Sequence, residues 1–211
     1  MKKSSIVLSL ILATGIAHAQ ESGFFIGLSA GLGLNSVSAK TSISDIEVVN
    51  NFSLTTNLTY GARLGYILAF NEMNALRIYG DFTAGNFTTA ILSGNQGGIS
   101  SYGYYHMTGG GGLDYLISFS ESWGMFIGAG YNYAFGKFMD SRSKPNPHNP
   151  YANIGVAWNW SILRLEVGAK IPFLSWENTT TTIPITATDS IVFSSHARTN
   201  AQIYFNLDLV F

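Results

Sequence analysis

Eight stretches of this chain alternate between apolar and polar residues, and each charged residue inside them lies on the polar side. The last, "AQIYFNLDLVF", shows the rule. Ala201, Ile203, Phe205, Leu207, Leu209 and Phe211 are apolar, and Gln202, Tyr204, Asn206 and Asp208 put polar atoms between them. Period two is the periodicity of a strand with one greasy and one wet face. The others are Phe24–Leu34, Leu58–Phe70, Leu76–Phe87, Tyr105–Leu116, Trp123–Phe135, Tyr151–Trp160 and Leu163–Phe173.

Their connections run long, short, long, short, long, short, long. The short ones are "NEMN" (Asn71–Asn74), "ISFSES" (Ile117–Ser122) and a minimal turn at Ser161. The long ones cover residues 35–56, 88–101, 136–150 and 174–198. Strands of about ten residues, joined alternately by tight turns and long loops, predict an all-β, eight-stranded antiparallel transmembrane barrel. In that topology the long connections face outward, and alternation at Thr182–Val192 suggests a hairpin standing above the membrane. The terminal strand pairs with the first, so Phe205, Leu207, Leu209 and Phe211 lie at the barrel closure. Phe211 belongs at the membrane boundary, where aromatic girdles form.

Composition agrees. Charged residues are 11% of the chain, against about 25% in soluble domains, and no later window offers 18 consecutive apolar residues. A charge-poor chain without such a helix can cross a bilayer only by closing a sheet, so that each backbone group is bonded. "MKKSSIVLSLILATGIAHAQ" has the charged, apolar and small-residue layout of a secretory signal peptide. Cleavage after Ala19 assigns 1–19 to the signal and 20–211 to an outer-membrane barrel. Without Lys2 and Lys3, nine basic residues face twelve acidic ones, which leaves no basic footprint for nucleic acid. The absence of cysteine excludes disulfides, zinc–thiolate sites and thiol nucleophiles.

The charges inside the strands are Arg63, Arg77, Asp81, Asp114, Arg164, Glu166, Lys170 and Asp208. A lipid-facing Arg or Lys near the midplane would cost about 2–4 kcal/mol. Four positives and four negatives in a lumen only wide enough for side chains should pair and plug it. The alternative is a narrow polar channel whose charged walls set selectivity. His106 lies on the lumen side. His148 and His196 fall in outer loops near Asp140, Ser141, Asp189 and Ser194, a combination too loose to name catalytic residues. No metal or cofactor site is expected. "GGGG" at Gly109–Gly112 lacks the Lys-Ser/Thr of a phosphate loop and suits either sharp curvature or close approach of neighbouring side chains.

Several stretches resemble the Helicobacter outer-membrane protein family, the Hop and Hor group of porin-like and adhesin-like proteins. They are "YGARLGYILAFNEMNALRIYGDFTAGN", "GGGGLDYLISF", and "LRLEVGAKIPFL" with Glu166, Gly168, Lys170, Ile171 and Pro172, together with the Phe-terminated ending. The resemblance implies a barrel inserted by the barrel-assembly machinery, with Phe205, Leu207, Leu209 and Phe211 of the terminal strand as the assembly signal. The family's large adhesins carry a big domain after the first strand, where this chain holds only Asn35–Thr56. Their receptor binding is therefore not carried over, and a small barrel-only member is implied. The expectation is a non-enzymatic outer-membrane protein, structural or binding a host or cell-surface ligand through its loops. With the chain stopping at Phe211, no peptidoglycan-gripping domain is expected.

Overall fold

The structure, a computed structural model, describes residues 22–43, 46–91, 98–140, 144–186 and 189–211. The signal segment 1–19 lies outside the described residues. Nine strands and one helical turn follow in order: β1 (Gly23–Ile43), β2 (Ile46–Ala69), β3 (Asn74–Ile91), β4 (Gly98–Ser118), β5 (Trp123–Phe135), α1 (Lys137–Asp140), β6 (His148–Trp160), β7 (Leu163–Pro172), β8 (Glu177–Pro184) and β9 (Ser190–Val210).

Eight of the strands are staves of a closed antiparallel barrel. Neighbours pair in sequence from β1 to β7, β7 pairs with β9, and β9 pairs back onto β1. The closing seam runs from Phe25↔Val210 upward, and the Phe211 amide donates to the Phe24 carbonyl at 2.8 Å. The Phe205, Leu207, Leu209 and Phe211 side chains are exposed on the outer surface beside this seam. Closure removes the open edges that hydrocarbon cannot hydrogen-bond.

Parity sorts the side chains as the alternation requires. Phe24, Leu28 and Leu64 are 69%, 66% and 66% exposed, whereas Arg77 and Asp114 are 0% exposed. So broad an apolar outer surface is a lipid surface rather than an aqueous one. Aromatic rings flank it. Trp123 stacks on Trp158 near the tight turns, and the Tyr60 and Tyr105 hydroxyls meet at 3.4 Å toward the other end. The fold is that of an outer-membrane barrel.

Three of the expected loops are largely strand. Residues 35–56 are the upper halves of β1 and β2, paired from Asn35↔Thr55 to Ile43↔Ile46. Residues 88–91 and 98–101 extend β3 and β4, and the tip, 92–97, lies outside the described residues. Residues 174–198 contain β8 and the upper half of β9, so the hairpin predicted at Thr182–Val192 forms from Glu177–Pro184 and Ser190 onward. In 136–150 the described residues hold α1 and the first three residues of β6. The expected boundaries stopped too low because main-chain pairing continues above the membrane, where no lipid imposes apolar parity.

A bulge explains one further departure. Leu34 pairs with Ala201 but Asn35 pairs with Thr199, so Asn200 is an extra residue. Below it the even-numbered residues of β9 face the lumen; above it the odd-numbered ones do. Single-period reading of the terminal strand therefore ends at Ala201.

Candidate functional site

The lumen is built in layers, and the lowest is apolar. Phe25, Ile67, Ala75, Leu116, Phe126 and Ala157 form a buried floor near the tight-turn end, with Tyr79 and Tyr204 above them. Sequence reading missed this floor because its residues lie on the polar parity. The signal was there: the large ones fall close to the turn end of each segment, where the lumen must be sealed.

All eight predicted charges lie in the lumen, and they sort into two groups. Glu166 is the centre of the first. It accepts from Arg63 Nη2 at 2.5 Å, from Arg164 Nε at 2.6 Å, and from Arg77 Nη1. Arg63 also grips Asp208, with Nε donating at 2.8 Å. Arg77 grips Asp114 through Nη2 at 2.5 Å and Nε at 3.1 Å. Arg164 uses its remaining reach on Asn159 Oδ1, at 3.0 Å. Three guanidiniums thus face three carboxylates with no net charge, which an interior of low dielectric demands. The arginine planes also lie near aromatic faces: the Arg77 guanidinium is 5.0 Å from the Phe126 ring and the Arg63 guanidinium 5.4 Å from that of Phe25.

Glycines on the strands between partners make this possible. Gly27 pairs with Arg63 on one side and Asp208 on the other, so the ion pair passes over it. A Cβ there would strike the Asp208 carboxylate. Gly128 stands likewise between Asp114 and Asn153, whose Nδ2 donates to Asp114 Oδ1 at 2.9 Å. The lumen's large rings follow the same plan. Tyr79 lies over Gly112, Tyr151 over Gly130, Phe126 over Gly155 and Tyr204 over Gly168. Gly112 belongs to the "GGGG" run, and at this position the close approach, one of the two roles expected of the run, is the one observed.

Above the arginines lies a hydroxyl and amide layer. Tyr204 donates to Asn153 Oδ1 at 2.6 Å, Asn153 reaches the Tyr79 hydroxyl at 3.3 Å, and the Tyr79 and Tyr151 hydroxyls are 3.2 Å apart. The second charge group crosses this level. Lys170 pairs with Asp81, and its ammonium stands 4.7 Å from the Tyr151 ring centre.

Higher still lies a small, uncharged polar chamber lined by Asn57, Thr59, Thr83, Thr108, Asn132 and Gln202. Its lining is partly self-satisfied: Thr83 meets Thr108 at 2.7 Å, and Gln202 donates to Thr59 at 2.9 Å. A lid covers the outer end, where Trp176, Met139, Ala134 and Ala197 are buried together and Val37 packs against them. The Trp176 amide donates to the Ala197 carbonyl at 2.8 Å, and its ring stacks at a tilt near His106, 6.0 Å between centres. Nothing in the Thr-rich context of Trp176 marks it as a lid residue in sequence.

The remaining histidines are apart from this column. His148 Nδ1 bonds the Tyr131 hydroxyl, and His196 Nε2 lies 3.4 Å from Ser175 Oγ. Ser141 lies outside the described residues.

No protein-family model matches the chain, and no curated protein does, so the Helicobacter resemblance rests on its motifs alone. Solved structures with a similar arrangement include a Pseudomonas aeruginosa FadL homologue, at 14% identity and a TM-score of 0.34, covering 75% of this chain and 38% of that one. The Pseudomonas putida toluene transporter TodX matches at 9% identity and a TM-score of 0.26, with 94% of each chain covered. The Salmonella injectisome secretin InvG matches at 8% identity and a TM-score of 0.31, covering all of this chain and 66% of that one. The chain spans about two fifths of the length of the first of these.

Proposed function

We propose that this chain is a closed, non-enzymatic outer-membrane barrel that acts through its outer sheet rather than through its lumen. The observation that carries this is the arginine cluster. Glu166 holds Arg63, Arg77 and Arg164 at once, and the outer carboxylates Asp114 and Asp208 complete the pairing. Any ion crossing that level would have to break desolvated pairs, at a cost of several kcal/mol each. The apolar floor below and the Trp176 lid above make two further barriers. What is left to meet the outside is the sheet that β1, β2, β8 and β9 raise above the barrel. Exposed segments on a rigid scaffold are where binding normally lives. Lipid is the barrel's solvent, and the barrel-assembly machinery its route into the membrane.

A narrow porin-like channel is the competing function, favoured by the uncharged polar chamber above Lys170. Planar-bilayer recording on the refolded chain Gln20–Phe211 separates the two. Silence from verified, inserted barrels is expected. Stable, ion-selective steps would overturn the closed-barrel proposal and make Arg63, Arg77 and Asp114 the first selectivity determinants to change.

A further inference from the structure

Above the membrane the barrel stops being a barrel. β9 pairs with β7 only as far as Lys170↔Gln202. Higher up its partner on that side is β8, from Glu177↔Ala197 to Pro184↔Ser190. β5 pairs with β4 no higher than Met107↔Phe135, whereas β4 continues beside β3 up to Ile91↔Gly98. At the level of β8 the upper sheet is therefore an open arc, β8-β9-β1-β2, because β2 pairs with β3 no higher than Thr56↔Thr88. Its free edge at β8 has no ladder partner among the described residues.

Apart from Pro184 at its tip, that edge lacks the usual protections. From Asn178 to Pro184 it carries no Lys, Arg, Asp or Glu, and Thr180, Thr181, Thr182 and Ile183 are all exposed. Natural edges are normally blunted with charge or covered. The concave side of the arc beside it is apolar. Register places Ile183, Ile191 and Ile43 in one row across β8, β9 and β1, and Thr181, Phe193, Thr41 and Val49 in the next. Ile183, Phe193, Val49 and Ile43 are 49%, 43%, 43% and 39% exposed.

From the free edge and this adjoining face together, we infer that β8 is a strand-addition site for an extended, uncharged segment of another protein, apolar at alternate positions. Main-chain bonds to β8 would supply the affinity, and the alternate apolar side chains would extend the Ile183–Ile191–Ile43 row. A second copy in the same membrane fits poorly. β8 climbs away from the barrel rim, and rotation about the membrane normal keeps both copies climbing. Two-fold pairing at one edge requires antiparallel strands, which that rotation cannot produce. The proposal rests on the outer sheet being the working surface. One added strand of about seven residues buries less than a stable standard interface, so binding by a free peptide should be weak.

The chain has no cysteine, so weak binding can be trapped. The refolded Ile185→Cys protein carries one thiol just beyond the edge, and barrel formation is checked first. The probe is the peptide Thr-Val-Thr-Val-Thr-Val-Cys with its thiol activated as the pyridyl disulfide. Attack by the protein thiolate forms the mixed disulfide and releases pyridine-2-thione, which is read by absorbance. The expected result is trapping at least about tenfold faster than with a probe N-methylated at alternate backbone nitrogens in one of the two phases, with Phe193→Ser abolishing most of that gain. Equal rates for the plain probe and both methylated phases would overturn the proposal. Disulfide-linked protein dimers as the dominant product of mild oxidation without probe would assign the edge to a second copy and overturn it too. A barrel that conducts yet traps the probe would sink the closed-barrel proposal alone.

Discussion

Arg63 and Asp208 form their ion pair across an intervening strand, over the bare backbone of Gly27. Two features that look unrelated in the sequence, lumen charges and lumen glycines, are parts of one device. Guanidinium and carboxylate can meet only because the residue between them has no side chain.

Gly27→Ala should therefore damage the barrel although alanine suits a strand better. The added methyl would overlap the Asp208 carboxylate and crowd the Leu207 carbonyl. Overpacking of this kind costs about 1–3 kcal/mol. Urea unfolding of the refolded protein in lipid vesicles checks it; unchanged stability would mean that the pair does not cross Gly27.

Glu166→Gln should be the most damaging single change in the lumen. It removes the one carboxylate shared by three buried arginines, and breaking a buried pair costs about 3–5 kcal/mol. The same titration reads it, with failure to refold as the extreme case. A loss no larger than that of Asp81→Asn would show that the cluster is not centred on Glu166.

Lys170 and Asp81 form a self-contained pair, so their variants should couple. Asp81→Asn and Lys170→Met should each destabilise, while the double variant recovers much of the loss, with a coupling of about 1–3 kcal/mol. Strict additivity in the double-mutant cycle would count against direct contact.

Leu64 lies beside Arg63 and points the other way, 66% exposed. Leu64→Arg should cost about 2–4 kcal/mol in a bilayer, because it sets a charge against hydrocarbon. The prediction fails if the substitution is neutral in vesicles, and the lipid-facing assignment of that parity fails with it.

Trp176 should control access to the polar chamber. In a Thr108→Cys protein, whose thiol would line that chamber, a small maleimide should label slowly; adding Trp176→Ala should speed labelling by about tenfold or more as the buried lid opens. Equal rates would show that the Trp176 cluster does not seal the outer end.

Alternation by itself determined the fold class. A period of two over eight segments, with Arg63, Arg77, Asp81, Asp114, Arg164, Glu166, Lys170 and Asp208 all on one parity, says which face meets lipid and which meets the lumen. It does so because the cost of a charge in hydrocarbon acts on each residue separately. Tertiary structure alone decided who meets whom. Glu166 reaches Arg63 and Arg77 from the far side of the barrel, a matter of strand tilt and register that leaves no local trace. The Trp176 lid, the Asn200 bulge and the free edge of β8 were hidden for a related reason. Above the bilayer lipid no longer enforces parity, and the pattern that made the barrel legible ends where the open sheet begins.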